Sequence, residues 1–143
     1  MCFEADVVNH CTLEELHNSY DNTILYVDYV LSRIIADLDK SLSRLGTEYV
    51  DLWQIHTWDE KTPLEETLGA MDYALNSGKA RHVGISNFSG WQSSRAITIQ
   101  EANSAKAPIV THQVEYSLLN REIESEVLPC ADETGVGVLA WAP

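Results

Sequence analysis

The sequence predicts an α/β fold, namely part of a parallel (β/α)8 barrel of the TIM type with about four consecutive β/α units. Short apolar runs recur at nearly even spacing, and amphipathic helical patterns alternate with them. Each run ends in a side chain that could contact a ligand, as expected where barrel strands end. The predicted strands are Val50–Ile55, His82–Ile85, Ile109–Val114 and Val136–Trp141.

The length of the chain is the first constraint on this fold. A complete barrel has eight units and typically about 250 residues, whereas the chain has 143 residues. We therefore expect a truncated barrel. An open, doubly wound sheet would give the same alternation of strands and helices. It is disfavoured because no GxGxxG pattern, the dinucleotide fingerprint of such sheets, follows the first predicted strand.

Each predicted helix has a recognisable start or stop signal. Ser32 is a candidate N-cap, and Gly46 a candidate left-handed C-cap, for a first helix. For the second helix, which follows the first predicted strand, Thr62 opens a capping-box pattern in which Pro63 would occupy the first helical position. The apolar stripe of the first helix comprises Ile34, Ile35, Leu38, Leu42 and Leu45.

The later helices carry similar signals. Ser89 and Gln92 form a second capping-box pattern, which opens a helix running to about Ala102. Residues 127–134 are a shorter helical stretch, which Gly135 ends before the last predicted strand. The pattern thus assigns residues 32–143 to one partial barrel domain. Residues 1–31 remain unassigned, with a possible helix over 12–20 and a possible strand over 24–30.

Composition excludes several classes of function. The chain has 22 acidic and 9 basic residues and a formal net charge of −13. Such a surface disfavours binding to nucleic acid or anionic membranes, which require clustered Lys and Arg. No apolar stretch approaches the ~20 residues of a transmembrane helix, and the first residues lack a basic, apolar signal pattern. We therefore expect a cytoplasmic protein. Its three cysteines, outside any CxxC pair, predict free thiols and no metal site.

Six sequence runs carry a family resemblance. They are residues 42–52 (LSRLGTEYVDL), 54–56 (QIH), 62–68 (TPLEETL), 78–88 (GKARHVGISNF), 113–116 (QVEY) and 118–122 (LLNRE). With these runs, residues 32–143 resemble the aldo-keto reductases. The run GISNF after GKxR is the most specific of them. The resemblance corresponds to the fourth through seventh strand units of the family barrel.

The resemblance implies a nicotinamide-dependent reduction of an aldehyde or ketone. His56 matches the histidine beside the substrate carbonyl oxygen, which orients or polarises that group. Ser86, Asn87 and Gln113 match the side chains that bind the nicotinamide carboxamide. Trp141 takes the place of a tyrosine that commonly stacks on the nicotinamide, and an indole preserves the flat aromatic surface. The expected cofactor is NADPH, with NAD not excluded, and the expected partner is a small carbonyl substrate.

Each of these residues also has an ordinary structural interpretation. Without the resemblance, His56 would be a capped or partly exposed histidine at a strand end, and Ser86 and Asn87 would be turn residues. Gln113 would be a hydrogen-bonded buried amide, and Trp141 would be a packing residue. The agreement among separate strand ends favours the functional interpretation for Ser86, Asn87 and Gln113.

The residues outside the resemblance limit the expected activity. The family reaction relies on a tyrosine, a lysine and an aspartate from its first three barrel units, and residues 1–31 match none of their motifs. We therefore expect an oxidoreductase that is weakly active or inactive. The alternative is a catalytically silent barrel fragment that acts as a binding or regulatory partner. Exposed strand edges at either end of an incomplete barrel also predict either self-association or poor solubility.

Overall fold

A computed structural model of the chain describes residues 31–102 and 107–143. Its sheet has four parallel strands arranged in chain order. The strands are β1 (Val50–Ile55), β2 (Ala80–Ser86), β3 (Ile109–Glu115) and β4 (Gly137–Trp141). All four predicted strands are confirmed, β1 with the predicted boundaries and the others within two residues of them. The interpretations of residues 12–20 and 24–30 lie outside the described part of the chain.

Helices connect the strands and pack on one side of the sheet. They are α1 (described over residues 31–45), α2 (Leu64–Asn76), α3 (Gly90–Glu101) and α4 (Val127–Thr134), with a short 3-10 helix at Glu122–Glu124 before α4. Within residues 31–102 and 107–143, none of these helices combines the length and the apolar character that crossing a bilayer would need.

The arrangement of the layers separates the barrel from the doubly wound alternative. A doubly wound sheet reverses its strand order and carries helices on both faces, whereas this sheet runs β1-β2-β3-β4 without reversal. Its hydrophobic core joins residues of α1, α2 and α3 to one face of the strands, with Leu38, Met71, Val83, Ile85 and Ile97 among them. The structure is therefore part of an α/β barrel, and the open-sheet alternative is wrong.

Two predicted helix starts are wrong. Ser32 lies inside α1, because Leu31 is already helical and extends the apolar stripe one residue earlier. Pro63, predicted as the first helical residue, is the N-cap of α2, with an extended ψ of 135°. No side chain caps α2, and the Thr62 hydroxyl donates to Asp59 Oδ2 at 2.7 Å instead of accepting from the backbone of the helix.

Other helix signals are confirmed. Ser89 and Gln92 form a complete capping box at the start of α3, since each side chain bonds the backbone of the other residue. Gly135 ends α4 in the left-handed conformation at φ 68°. The Ser89 cap fixes the start of α3 just after β2, and Gly135 fixes the end of α4 just before β4. Both caps therefore help to position strand ends.

The two faces of the sheet carry different side chains. Ile85, His112 and Val138 are register partners on β2, β3 and β4, and this row lies on the side of the helices. The neighbouring positions Ser86, Gln113 and Leu139 form the next row and lie on the opposite side, which we call the barrel-facing side. Successive residues at the C-terminal strand ends therefore serve the core and the barrel interior in turn.

Candidate functional site

The centre of the candidate site is Asn87, the residue that follows β2. Its amide nitrogen Nδ2 donates to the carbonyl oxygen of His56 at 3.0 Å, and its Oδ1 accepts from the indole Nε1 of Trp141 at 3.1 Å. A carbonyl only accepts and an indole N–H only donates, so these two partners fix the orientation of the amide. Asn87, just after β2, thus bonds the residue after β1 on one side and the end of β4 beyond β3 on the other.

The backbone of Asn87 is also held in place. It adopts the left-handed conformation at φ 56°, a region in which Asn is enriched among non-glycine residues. Its N–H donates to the carbonyl oxygen of Gln113 at 2.9 Å. Strained residues of this kind persist where the surrounding contacts hold them, and here β3 provides such a contact.

Ser86 and Gln113 lie side by side one step back from the strand ends. They are register partners on β2 and β3. Ser86 is 2% exposed, and within the described part of the chain its hydroxyl has no hydrogen-bond partner. Gln113 is half-buried, and none of the described hydrogen bonds uses its side-chain amide. A buried hydroxyl without a partner is costly, so Ser86 retains unused hydrogen-bonding capacity at this end of the strands.

A cleft opens next to Asn87 at the C-terminal ends of the strands, and neither Ser86 nor Gln113 is among its lining residues. Its volume is about 260 Å³, and Asn87 and Trp141 are two of its lining residues. Two carboxylates, those of Glu115 and Glu122, also line it. Trp141 is 38% exposed, so part of its indole is available to a ligand. The cleft combines an exposed aromatic side chain with an oriented amide.

The five residues singled out in the sequence lie at one edge of the sheet, but they contribute in different ways. Asn87 and Trp141 bond each other directly. Ser86 and Gln113 are paired in the adjacent row. His56 joins the cluster through its backbone carbonyl rather than its imidazole, and its side chain is exposed.

Sequence reasoning missed His112, which supports the site from the helix side of β3. It is 1% exposed. Its Nε2 accepts from the N–H of Phe88 at 3.3 Å, and its Nδ1 lies 3.4 Å from Ser93 Oγ. Burial lowers the pKa of His112 to about 4, so the imidazole is neutral near pH 7. Strand alternation could have indicated it, because adjacent residues of a strand point to opposite faces, so His112 points toward the helices when Gln113 points away from them.

The loop after β3 is fixed by a small polar cluster. Glu124 accepts from Tyr116 Oη at 2.8 Å and from Arg121 Nε at 2.7 Å. The hydrogen bond from Arg121 holds the pKa of Glu124 below its usual value, with Tyr116 acting in the same direction. Among the described residues, no group of three His, Cys, Asp or Glu side chains is arranged to hold a metal ion.

Comparison with known proteins identifies a family and relatives whose sequences match this chain. The family model described as "Aldo/keto reductase family" matches residues 24–143. The L-glyceraldehyde 3-phosphate reductase of Escherichia coli K12 is 41% identical over 111 residues, which are 77% of this chain and 32% of that protein. An uncharacterised oxidoreductase of Bacillus subtilis 168, YrpG, is 42% identical over 113 residues, which are 79% of this chain and 34% of that protein.

Solved structures agree with the sequence relatives. A crystal structure assigned as a 2,5-diketo-D-gluconic acid reductase B superimposes with a TM-score of 0.69 at 35% identity, covering 80% of this chain and 38% of the other. The chain spans about a third of the length of the curated relatives it matches. The matched region is therefore the part of those proteins that corresponds to the four units described above.

Proposed function

Because the chain belongs to the aldo-keto reductase family, we propose that its C-terminal strand edge binds the nicotinamide end of NAD(P)H during reduction of an aldehyde or ketone. The buried Ser86 hydroxyl without a partner is the observation that carries the proposal. When bound, the cofactor would supply the hydride, and this chain would supply the surface that positions the nicotinamide ring.

The side chains at this edge fit a carboxamide group. A carboxamide offers both donors and acceptors and needs partners of both kinds. The Ser86 hydroxyl can donate or accept, and the Gln113 amide can do both. Asn87 keeps one N–H and one acceptor position free after its bonds to His56 and Trp141. Together these groups can fix which face of the ring is presented for the transfer.

Trp141 would act as the flat support of the ring. Its partial exposure leaves indole surface for stacking, and such aromatic contacts are worth about 0.5–1.5 kcal/mol beyond the burial of area. Its bond to Asn87 limits rotation of the indole. His56 would lie beside the substrate carbonyl, and its exposed imidazole is free to turn toward that group. The proposed substrate class is a small aldehyde or ketone.

The catalytic proton donor is a separate matter. In the family it belongs to barrel units that residues 32–143 do not match, and general acid catalysis contributes about 10²–10⁴-fold. We therefore expect this chain to bind the cofactor measurably and to reduce substrate weakly or not at all. The second candidate is a catalytically silent fragment that binds without reacting. Preference for NADPH over NAD, cytoplasmic location and self-association through strand edges stay predictions.

A titration with NADPH, read by tryptophan fluorescence, tests the proposal. We expect saturable quenching, and we expect W141F to lose a larger fraction of it than W91F. Trp91 is the matched control because it is 57% exposed, packs against Trp58 and is not one of the residues that line the cleft.

Loss of NADPH absorbance in the presence of an aldehyde then separates the two candidates. Oxidation that depends on the aldehyde supports the reductase, and saturable binding without oxidation supports the silent fragment. Absence of saturable binding would contradict both.

A further inference from the structure

We propose that His112 is a positioning residue, which holds Asn87 in its ligand-binding geometry through a chain of three hydrogen bonds. The inference rests on the proposed function only in its consequence for cofactor affinity. The geometric part concerns the corner after β2, residues 87–89, and can be tested without any ligand.

The direction of each hydrogen bond in the chain is fixed by its end members. The N–H of Phe88 can only donate, so His112 Nε2 must be the unprotonated nitrogen. The proton of the neutral ring is then on Nδ1, which donates to Ser93 Oγ. The Ser93 hydroxyl in turn donates to the carbonyl oxygen of Ser89 at 2.8 Å. One tautomer of His112 therefore connects β3 to both ends of the turn into α3.

These bonds act on the residue next to Asn87. Asn87 has a positive φ, and its own N–H is held by the Gln113 carbonyl. The following N–H, that of Phe88, is held by His112. Consecutive residues of β3 thus fix consecutive N–H groups of the corner. Without the second contact, the left-handed conformation of Asn87 loses one of the two restraints that β3 places on it.

The surroundings allow His112 to act in this way. It is buried, and burial favours the neutral ring that the hydrogen-bond directions require. Phe88 is itself 4% exposed and makes an edge-to-face contact with Trp58 at 5.3 Å between ring centroids. The side chain of Phe88 therefore anchors one side of the corner, and His112 anchors its backbone. The Asn87 carboxamide bonds His56 and Trp141, and its remaining positions would bond a ligand.

The first measurement uses the 143-residue chain without ligand and follows the indole N–H resonance of Trp141, identified by its loss in W141F. H112L keeps an apolar side chain but removes both ring nitrogens. We expect it to shift this resonance and to speed hydrogen exchange of the backbone N–H of Asn87. H112Q, whose amide can accept from Phe88 and donate to Ser93, should leave both close to wild type.

The second measurement is the Kd for NADPH. H112L should weaken binding by about fivefold to tenfold, the loss expected for one misplaced hydrogen-bonding group. H112Q should stay within about twofold of wild type. I97A is the matched control, because Ile97 is a buried α3 residue outside the hydrogen-bond chain, so it should lower stability without changing the Kd.

The outcomes separate the two proposals. A wild-type Trp141 resonance in H112L, or equal shifts in H112L and H112Q, would overturn the role of His112. Absence of NADPH binding by wild type would contradict the proposed function, while the resonance measurement would still decide about His112. Should H112L fail to fold, S93A provides the same test, since it removes only the Ser93 hydroxyl and should shift the Trp141 resonance in the same direction.

Discussion

The side chains that the strands themselves carry differ between the two sides of the sheet in burial and hydrogen bonding, while α3 on the helix side also holds one buried atom without a described partner, Gln100 Oε1. On the helix side, Met71, Val83 and Ile85 are fully buried, and both ring nitrogens of His112 have partners. On the barrel-facing side, the Ser86 hydroxyl has no described partner, and Leu139 is 40% exposed. The same strands therefore carry the contacts that stabilise this fold on one side and unused binding capacity on the other.

The largest expected effect comes from shortening a side chain on the helix side. M71A should lower the free energy of unfolding by about 2–5 kcal/mol, because it removes buried methylene and sulfur contacts and leaves a cavity. L139A, its counterpart on the barrel-facing side, should cost less than about 1 kcal/mol, since Leu139 is already partly hydrated. Urea denaturation followed by circular dichroism measures both. Equal losses would show that the barrel-facing side is covered in solution.

The second effect is the pH dependence that His112 gives to the helix side. Its pKa is about 4 in the folded chain and has a reference value of 6.5. Between these values the unfolded chain binds more protons, so stability from the neutral ring is fully present above about pH 6.5 and is lost as the pH falls toward 4. The loss amounts to at most about 3 kcal/mol.

Comparison of variants isolates this effect from the titration of the many carboxylates. Wild type should lose more unfolding free energy between pH 7 and pH 4.5 than H112Q does, whatever the difference between them at pH 7. H82Q is the matched control, because His82 is exposed on β2, and it should follow the wild-type slope. Parallel slopes for wild type and H112Q would refute the buried, neutral state of His112.

The parts of the fold that depend on nearby residues could be predicted from the sequence. Apolar runs located all four strands, and the Ser89 capping box and Gly135 located helix ends, because these signals act within a few residues. The predicted roles of Ser32 and Pro63 at helix starts were wrong for reasons that are also local. Leu31 continues the apolar stripe, and the Thr62 side chain bonds Asp59 rather than the backbone of α2. Capping preferences are weak enough for such neighbours to override them.

The candidate site could be predicted as a set of residue types at strand ends, but not as a set of contacts. The Asn87–Trp141 bond joins residues 54 positions apart, and the Phe88–His112 bond joins residues 24 positions apart. Neither spacing is a motif. The use of the His56 carbonyl instead of its imidazole also depends on where the β2 corner falls. Strand order decides these contacts, and strand order follows from packing of the whole sheet.

The smallest effect on stability, and the one specific to the barrel-facing side, is expected for S86A. Removal of an unpaired buried hydroxyl should change the free energy of unfolding by less than about 0.5 kcal/mol, or slightly stabilise the chain. NADPH affinity should nevertheless fall about fivefold to tenfold, because the same hydroxyl would bond the ligand. S94A, on the exposed side of α3, should change neither quantity. A loss of stability in S86A with unchanged NADPH affinity would mean that the hydroxyl serves the protein, and the contrast between the two sides of the sheet would not extend to the ligand.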